Sequence, residues 1–304
     1  MNSQFSRRDF LKTGSGALAF AALSPAGFAV ENSQGKRPLK KAMMLQTVGF
    51  PGSTFDKFKA IKDAGFAGVE PLSHMNQDEV LKARDENGLE TPSVCCATHW
   101  KENIASPDAA ERERSLEGLK QALRDAKNYG ASSVLFVSGK VDKNISYADA
   151  YKRSQQEIRK ALPLAEQLGV KIAIENVWNN YLISPLEAAR YIDEFNSPAI
   201  GWHFDIGNIY RYGWPEQWIS ILGKRIQKLH FKEFSTKKMQ NEGLHKGFDV
   251  QYLEGTNDWP AIMKALDAIG YNGWGIAEPA YAKPAVDAAG LKNISERLDK
   301  IFAS

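Results

Sequence analysis

GWHFDIGNIYRYGWPEQWISILGKRIQKLHFKEF, residues 201–234, holds two apolar runs that each end on a group able to bind a metal ion: Asp205 in the first and His230 in the second. Between them Trp214, Trp218, Ile221 and Leu222 recur at helical spacing. Strand, helix, strand is the repeating unit of a parallel α/β fold. In a parallel barrel the carboxyl ends of all strands meet on one face, where the chemistry is done. Asp205 and His230 are therefore expected side by side at one mouth.

The same alternation extends in both directions from this stretch. KAMMLQTV from Lys41 is predicted as a strand, TFDKFKAIKDAG as a helix stopped by Gly65, and FAGVE as a strand ending at Glu70. A helix stopped by Gly88 and a third strand, LETPSVCCATHW, follow, with His99 at that strand's end. Helices are predicted at 108–129 and 147–168, with SSVLFVSG between them as strand four and KIAIEN, ending in Glu175, as strand five. Ser184-Pro185 reads as a cap and first turn. After residue 234 comes a polar, aromatic stretch without periodicity at 235–256. It is followed by a helix from Asp258, the strand NGWGIAEP with Glu278 at its end, and a last helix at 286–301. Eight strands and eight helices in residues 41–304 predict an α/β (β/α)8 TIM barrel. No glycine-rich phosphate loop follows the first strand, as an open doubly wound sheet would have.

Residues 1–29 stand apart from that pattern. Ser6-Arg7-Arg8-Asp9-Phe10-Leu11-Lys12 precedes an apolar run rich in Gly and Ala, and Gly27-Phe28-Ala29 supplies small residues for cleavage. This is the layout of a twin-arginine signal peptide, with residues 30–40 as a polar linker. The expected partner is the twin-arginine export machinery, and the expected location is periplasmic or extracellular. The run is short for a spanning helix, so no stable membrane insertion is expected after cleavage. Of the formal net charge of +3, Arg7, Arg8 and Lys12 against Asp9 place +2 in this segment, leaving about +1 on the body. A body so near neutrality excludes a nucleic-acid binder that works through clustered Lys and Arg. The two cysteines, Cys95 and Cys96, are adjacent on a strand and point to opposite faces, so they read as core residues.

Listing the strand ends gives Glu70, His99, Glu175, Asp205, His230 and Glu278. Carboxylates crowded at one mouth repel unless a cation sits among them. Glu175, Asp205, His230 and Glu278 offer three oxygen donors and one nitrogen. That set suits one divalent ion, Mn²⁺, Mg²⁺, Co²⁺ or Zn²⁺.

IEN at Glu175, FDIGN at Asp205, KLHFKEF at His230 and IAEP at Glu278 resemble the motifs of the sugar phosphate isomerase/epimerase superfamily, the xylose isomerase-like TIM barrels. The resemblance covers the chain from Lys41 onward. It implies one divalent metal held by these four residues. By analogy with the ketose 3-epimerases, it also implies Glu175 and Glu278 as the acid/base pair on opposite faces of a carbohydrate substrate. Asn208 stands where those epimerases carry a His, 179–181 read Asn-Asn-Tyr where they carry an acid, and 235–237 read Ser-Thr-Lys where they carry an Arg.

Those departures leave His99 and Lys232 as further catalytic candidates. Glu70, Lys101, His203, Asn208 and Trp178 are candidates for contact with substrate. His203, two before Asp205, reads equally as a hydrogen-bonded core residue. Trp100, Tyr181, Tyr210 and Trp214 follow strand ends and can stack on a sugar or simply pack. The expected enzyme is a metal-dependent isomerase/epimerase that removes a proton next to a metal-bound carbonyl through an enediolate. A metal-dependent lyase or dehydratase eliminating the β-oxygen substituent of a keto-glycoside is the alternative. A non-catalytic sugar-binding barrel is the second.

Overall fold

The computed structural model describes residues 37, 39–279 and 287–304. The signal expected at 1–29 and most of the linker lie outside the described residues. Eight strands alternate with helices: β1 Lys40–Met44, β2 Gly68–Glu70, β3 Val94–Cys95, β4 Ser133–Phe136, β5 Lys171–Glu175, β6 Ile200–Asp205, β7 Ile226–Phe231 and β8 Trp274–Ala277. Every strand pair in the sheet is parallel, in the order β2-β1-β8-β7-β6-β5-β4-β3. The two ends of that order meet through parallel bridges Gly68↔Glu90 and Leu72↔Cys95. Four backbone bonds, among them Val69 N to Glu90 O at 2.9 Å and Cys95 N to Pro71 O at 2.9 Å, draw the ring together there. The result is the expected TIM barrel.

The helices are α1 Thr54–Asp63, α2 Gln77–Glu86, α3 Ala109–Asn128, α4 Tyr147–Leu168, α5 Pro185–Asp193, α6 Ile206–Ile209, α7 Pro215–Leu222, α8 Thr236–Glu242, α9 Trp259–Ala268 and α10 Ala288–Phe302. Their starts follow from side-chain caps. Ser53 and Asp56 form a capping box on α1, and Ser146 accepts from Asp149 N on α4. Helix α4 spans the residues expected and stops where Gly169 adopts φ 67°. Ser184 makes no capping bond, and Pro185 alone marks the start of α5. Among the described residues no helix is long and apolar enough to cross a membrane.

Alternate residues of each strand face the barrel interior or the helices. On β7, Leu229 and Phe231 point outward, where Phe231 stacks on Trp259 of α9 at 5.5 Å and meets Phe302 of α10 at 5.1 Å. Lys228, His230 and Lys232 occupy the inner face and are buried. Cys95 faces the interior carboxylates and Cys96 meets Thr98 on the other side; both thiols are unpaired.

Three expectations change. Strand β3 is far shorter than LETPSVCCATHW, because Pro92 has no N–H to donate and the chain turns at Thr98, whose carbonyl accepts from Lys101 N and Glu102 N. His99 therefore sits in a turn beyond the strand rather than at its end. The first strand is also shorter, ending at Met44 before a 3₁₀ turn at Leu45–Thr47. The stretch expected to be irregular at 235–256 contains α8, capped by Ser235, and a 3₁₀ turn at Leu244–Phe248.

Candidate active site at the carboxyl ends of the strands

The strand register decides which side chains meet. Glu175 of β5 pairs with His203 of β6, Asp205 of β6 with His230 of β7, and His230 with Ile276 of β8, two residues before Glu278. Glu175, Asp205, His230 and Glu278 are all buried, and each offers a ligand atom within 4.8 Å of the others. Nδ1 of His230 lies 3.2 Å from Oε1 of Glu175 and 2.9 Å from Oε2 of Glu278. Its other nitrogen, Nε2, lies 2.8 Å from Oε2 of Glu70. The Lys232 ammonium is 2.8 Å from Asp205 Oδ2 and 2.8 Å from Glu278 Oε1.

The acidic positions are held by a second set of bonds. Asp205 caps the short helix α6, its Oδ1 accepting from Asn208 N at 2.8 Å, which leaves Oδ2 facing Lys232. Asn176, immediately after Glu175, accepts from Asp205 N and Trp202 Nε1 at 3.0 Å each and donates to the Asp205 carbonyl at 2.7 Å. Its own carbonyl accepts from Asn208 Nδ2 at 3.0 Å. Gly207 lets α6 lie against Lys232, since a Cβ there would fall 2.8 Å from Lys232 Cγ and 2.9 Å from its carbonyl oxygen. Glu233, also buried, accepts from Trp259 Nε1 at 2.8 Å and Leu253 N at 2.7 Å, fixing the loop after β7.

Burial and crowding set the charges. Burial pushes the Asp205 carboxyl up to about 8 despite Lys232, with Glu278 and Glu175 adding to the rise. Burial likewise raises Glu175, partly offset by His230. Burial also opposes the ionised form of Glu278, but Lys232 and His230 outweigh it and hold that carboxyl well below its usual range. Burial disfavours a charged His230, yet Glu70, Glu278 and Glu175 raise it well above an ordinary histidine. Burial thus favours a proton on Asp205, whereas Lys232 and His230 favour the charge on Glu278, and the group titrates as one unit. Three carboxylates and an imidazole converging on a few ångströms of buried space fit a divalent ion, whose charge would offset both their burial and their mutual repulsion.

The other candidates fall in different places. Glu70 and His203 are fully buried and form a second grouping that shares His230 with the first, and the His203 ring meets that of His230 edge-on at 4.2 Å between centroids. Asn208 is spent on Asp205, Asn176 and, at 3.4 Å, Lys232. Trp178 donates to Asn208 O at 2.8 Å and leans on Phe248, Phe234 and His245. His99 packs between Trp100 and Phe136, with no hydrogen-bond partner at Nδ1. Lys101 is exposed in the same turn. Tyr181 is a core residue bonded to Ser154 at 2.9 Å, whereas Trp100 and Trp214 are exposed. The sequence reading missed Asn176 and Lys228. Asn176 stands directly after the Glu of IEN; buried Lys228 alternates with His230 and donates to Ser132 Oγ at 2.8 Å.

Residues 58–300 match the family described as xylose isomerase-like TIM barrel, and the chain belongs to that family. L-ribulose-5-phosphate 3-epimerase of Escherichia coli O1:K1 is 24% identical over 195 residues, which are 64% of this chain and 66% of that one. Two crystal structures share the fold. A 3-keto-D-glucoside 4-epimerase from E. coli aligns with a TM-score of 0.72 at 20% identity over 86% of this chain and 98% of that one. A D-psicose 3-epimerase crystallised with D-fructose aligns with a TM-score of 0.71 at 16% identity, over 86% and 97%.

The His99 environment has a consequence for stability. Burial pushes its pKa down to about 3, so the folded protein holds it neutral while the unfolded chain protonates it near its ordinary value of 6.5. The stabilisation from burying neutral His99 is complete above pH 6.5 and is lost as pH falls toward 3. Urea unfolding of wild type and His99→Gln at pH 7 and pH 4.5 checks this. Wild type should lose up to about tenfold more in its folding equilibrium per pH unit below 6.5 than the variant. Parallel pH profiles would show that His99 does not titrate this way.

Proposed function

We propose that this chain is a divalent-metal-dependent isomerase or epimerase of a sugar or keto-sugar, working by proton abstraction from a carbon next to a carbonyl. The observation that carries this reading is the buried set of Glu175, Asp205, His230 and Glu278, with two carboxylates converging on one imidazole nitrogen. These four residues would hold the ion, which supplies electrophilic polarisation of the substrate's carbonyl and hydroxyl oxygens. Glu175 and Glu278, reaching the mouth from strands β5 and β8, take and return the proton. Lys232, 2.8 Å from Glu278, steadies that carboxylate and is placed to pass a proton to oxygen.

The epimerase names of the relatives and the xylose isomerase-like family support the class, and the likeness to a 3-keto-D-glucoside 4-epimerase favours an oxidised glycoside among possible substrates. Elimination from a keto-glycoside is the second reading, and it needs an acid at the leaving oxygen. His99 is neutral at pH 7 and bonded to none of the cluster, and Lys101 is exposed. The remaining acid, Lys232, is held between Asp205 and Glu278, so reprotonation of carbon by the pair Glu175 and Glu278 takes precedence over elimination.

Three experiments test these proposals. Glu175→Gln and Glu278→Gln should each lower solvent-deuterium incorporation next to the carbonyl by at least about 10²-fold, the low end of general acid–base catalysis. The readout is proton NMR of free sugars and keto-glycosides incubated with metal-loaded protein, and wild-type exchange rates in both variants would refute the assignment. His99→Ala should leave turnover intact with every leaving group; a loss confined to poor leaving groups would favour elimination instead. Residues 1–29 we propose as a twin-arginine signal that delivers the chain to the periplasm or the exterior. Changing Arg7 and Arg8 together to Lys should retain it in the cytoplasm, and normal export of that variant would refute the assignment.

A further inference from the structure

His230 has two ring nitrogens, and the fold gives each its own carboxylate. Nδ1 faces Glu175 and Glu278, from opposite flanks of the mouth. Nε2 faces Glu70 alone, at 2.8 Å, with both groups fully buried. Glu70 ends β2, while His230 lies on β7, three strands along the order β2-β1-β8-β7, so the contact crosses the barrel interior. A neutral imidazole carries its proton on one nitrogen and a lone pair on the other, and the partner of the first decides which nitrogen is free to bind.

Resting on the metal site proposed above, we propose that Glu70 is the positioning residue of that site. It accepts the Nε2–H of His230, so the Nδ1 lone pair is presented to the space between Glu175 and Glu278. Without Glu70 the imidazole can take either tautomer and can rotate, and the four donors no longer converge. Glu70 thereby stands apart from the substrate contacts among which the sequence placed it. The grouping of Glu70, His203 and His230 could instead be read as a second ion site, since the His203 nitrogens and Glu70 Oε1 are buried without a hydrogen-bond partner. Two ions would then have to share the one imidazole of His230, which would have to lose both ring protons. A single proton on Nε2 satisfies Glu70 without that loss.

The test uses full-length protein, Glu70→Leu and Glu70→Gln, with Mn²⁺ affinity and stoichiometry from competition with a chelator. Nitrogen-15 NMR of histidine-labelled, Zn²⁺-loaded protein reads the tautomer, with His230 assigned through His230→Asn. Wild type should bind one ion and carry the His230 proton on Nε2. Glu70→Leu should bind Mn²⁺ about 10–100-fold more weakly and lose the Nε2–H resonance. Glu70→Gln, whose side-chain carbonyl accepts the same bond without a charge, should fall between the two while melting like wild type. If Glu70→Leu does not fold, the Gln variant decides alone: weaker Mn²⁺ binding at an unchanged melting temperature supports the positioning role. Unchanged affinity in the variants beside normal wild-type binding would overturn the role of Glu70 and leave the metal site standing. Two ions in wild type, or a His230 proton on Nδ1, would overturn it as well. No Mn²⁺ bound by wild type would remove both the site and the inference.

Discussion

Burial of like charges around one imidazole is the constraint on which this barrel's mouth depends. Glu70, Glu175, Asp205 and Glu278 are all buried, and the basic groups against them are His230 and Lys232. Removing a carboxylate from water without compensation costs several kcal/mol. The arrangement is sustained by His230, whose two ring nitrogens meet Glu70, Glu175 and Glu278, and by an ammonium bridging Asp205 and Glu278, while burial favours the neutral form of Asp205. Each of these responds to a change in the others, so the cluster behaves as one titrating unit. A cation of higher charge placed among the donors relieves the same repulsion and releases the protons that now do so.

The backbone around the cluster is correspondingly fixed. Asn176 ties the end of β6 to β5, Asp205 caps α6, and Gly207 permits α6 to press on Lys232. Glu233 anchors the loop after β7 through Trp259 and Leu253. Together they hold the donors on rigid strand ends, the condition for electrostatic work at a reacting carbon.

Much of this was legible in the sequence, and the reasons are physical. Helical periodicity, Ser and Asp caps and glycine stops punctuate the chain at regular intervals, so eight βα units could be counted and α4 placed to the residue. The four central donors lie within one residue of their strands' carboxyl ends, and a parallel barrel brings strand ends together whatever the fine register. His99 was misplaced because the contribution of Pro92 to shortening β3 depends on where the neighbouring strands pair. The partner of Glu70 was out of reach for the same reason: a bond from β2 to β7 across the interior leaves no periodic trace. Lys232 stood out as a catalytic candidate, but which two carboxylates it would meet did not.

The most direct measurement is a calorimetric titration of the purified chain with Mn²⁺ at pH 7, run in two buffers of unlike ionisation enthalpy. One ion should bind per chain, with heats that differ between buffers because Asp205 and His230 give up protons, and binding should be lost in His230→Asn. Absence of saturable binding, or binding that survives His230→Asn without proton release, would contradict a metal centre built on Glu175, Asp205, His230 and Glu278.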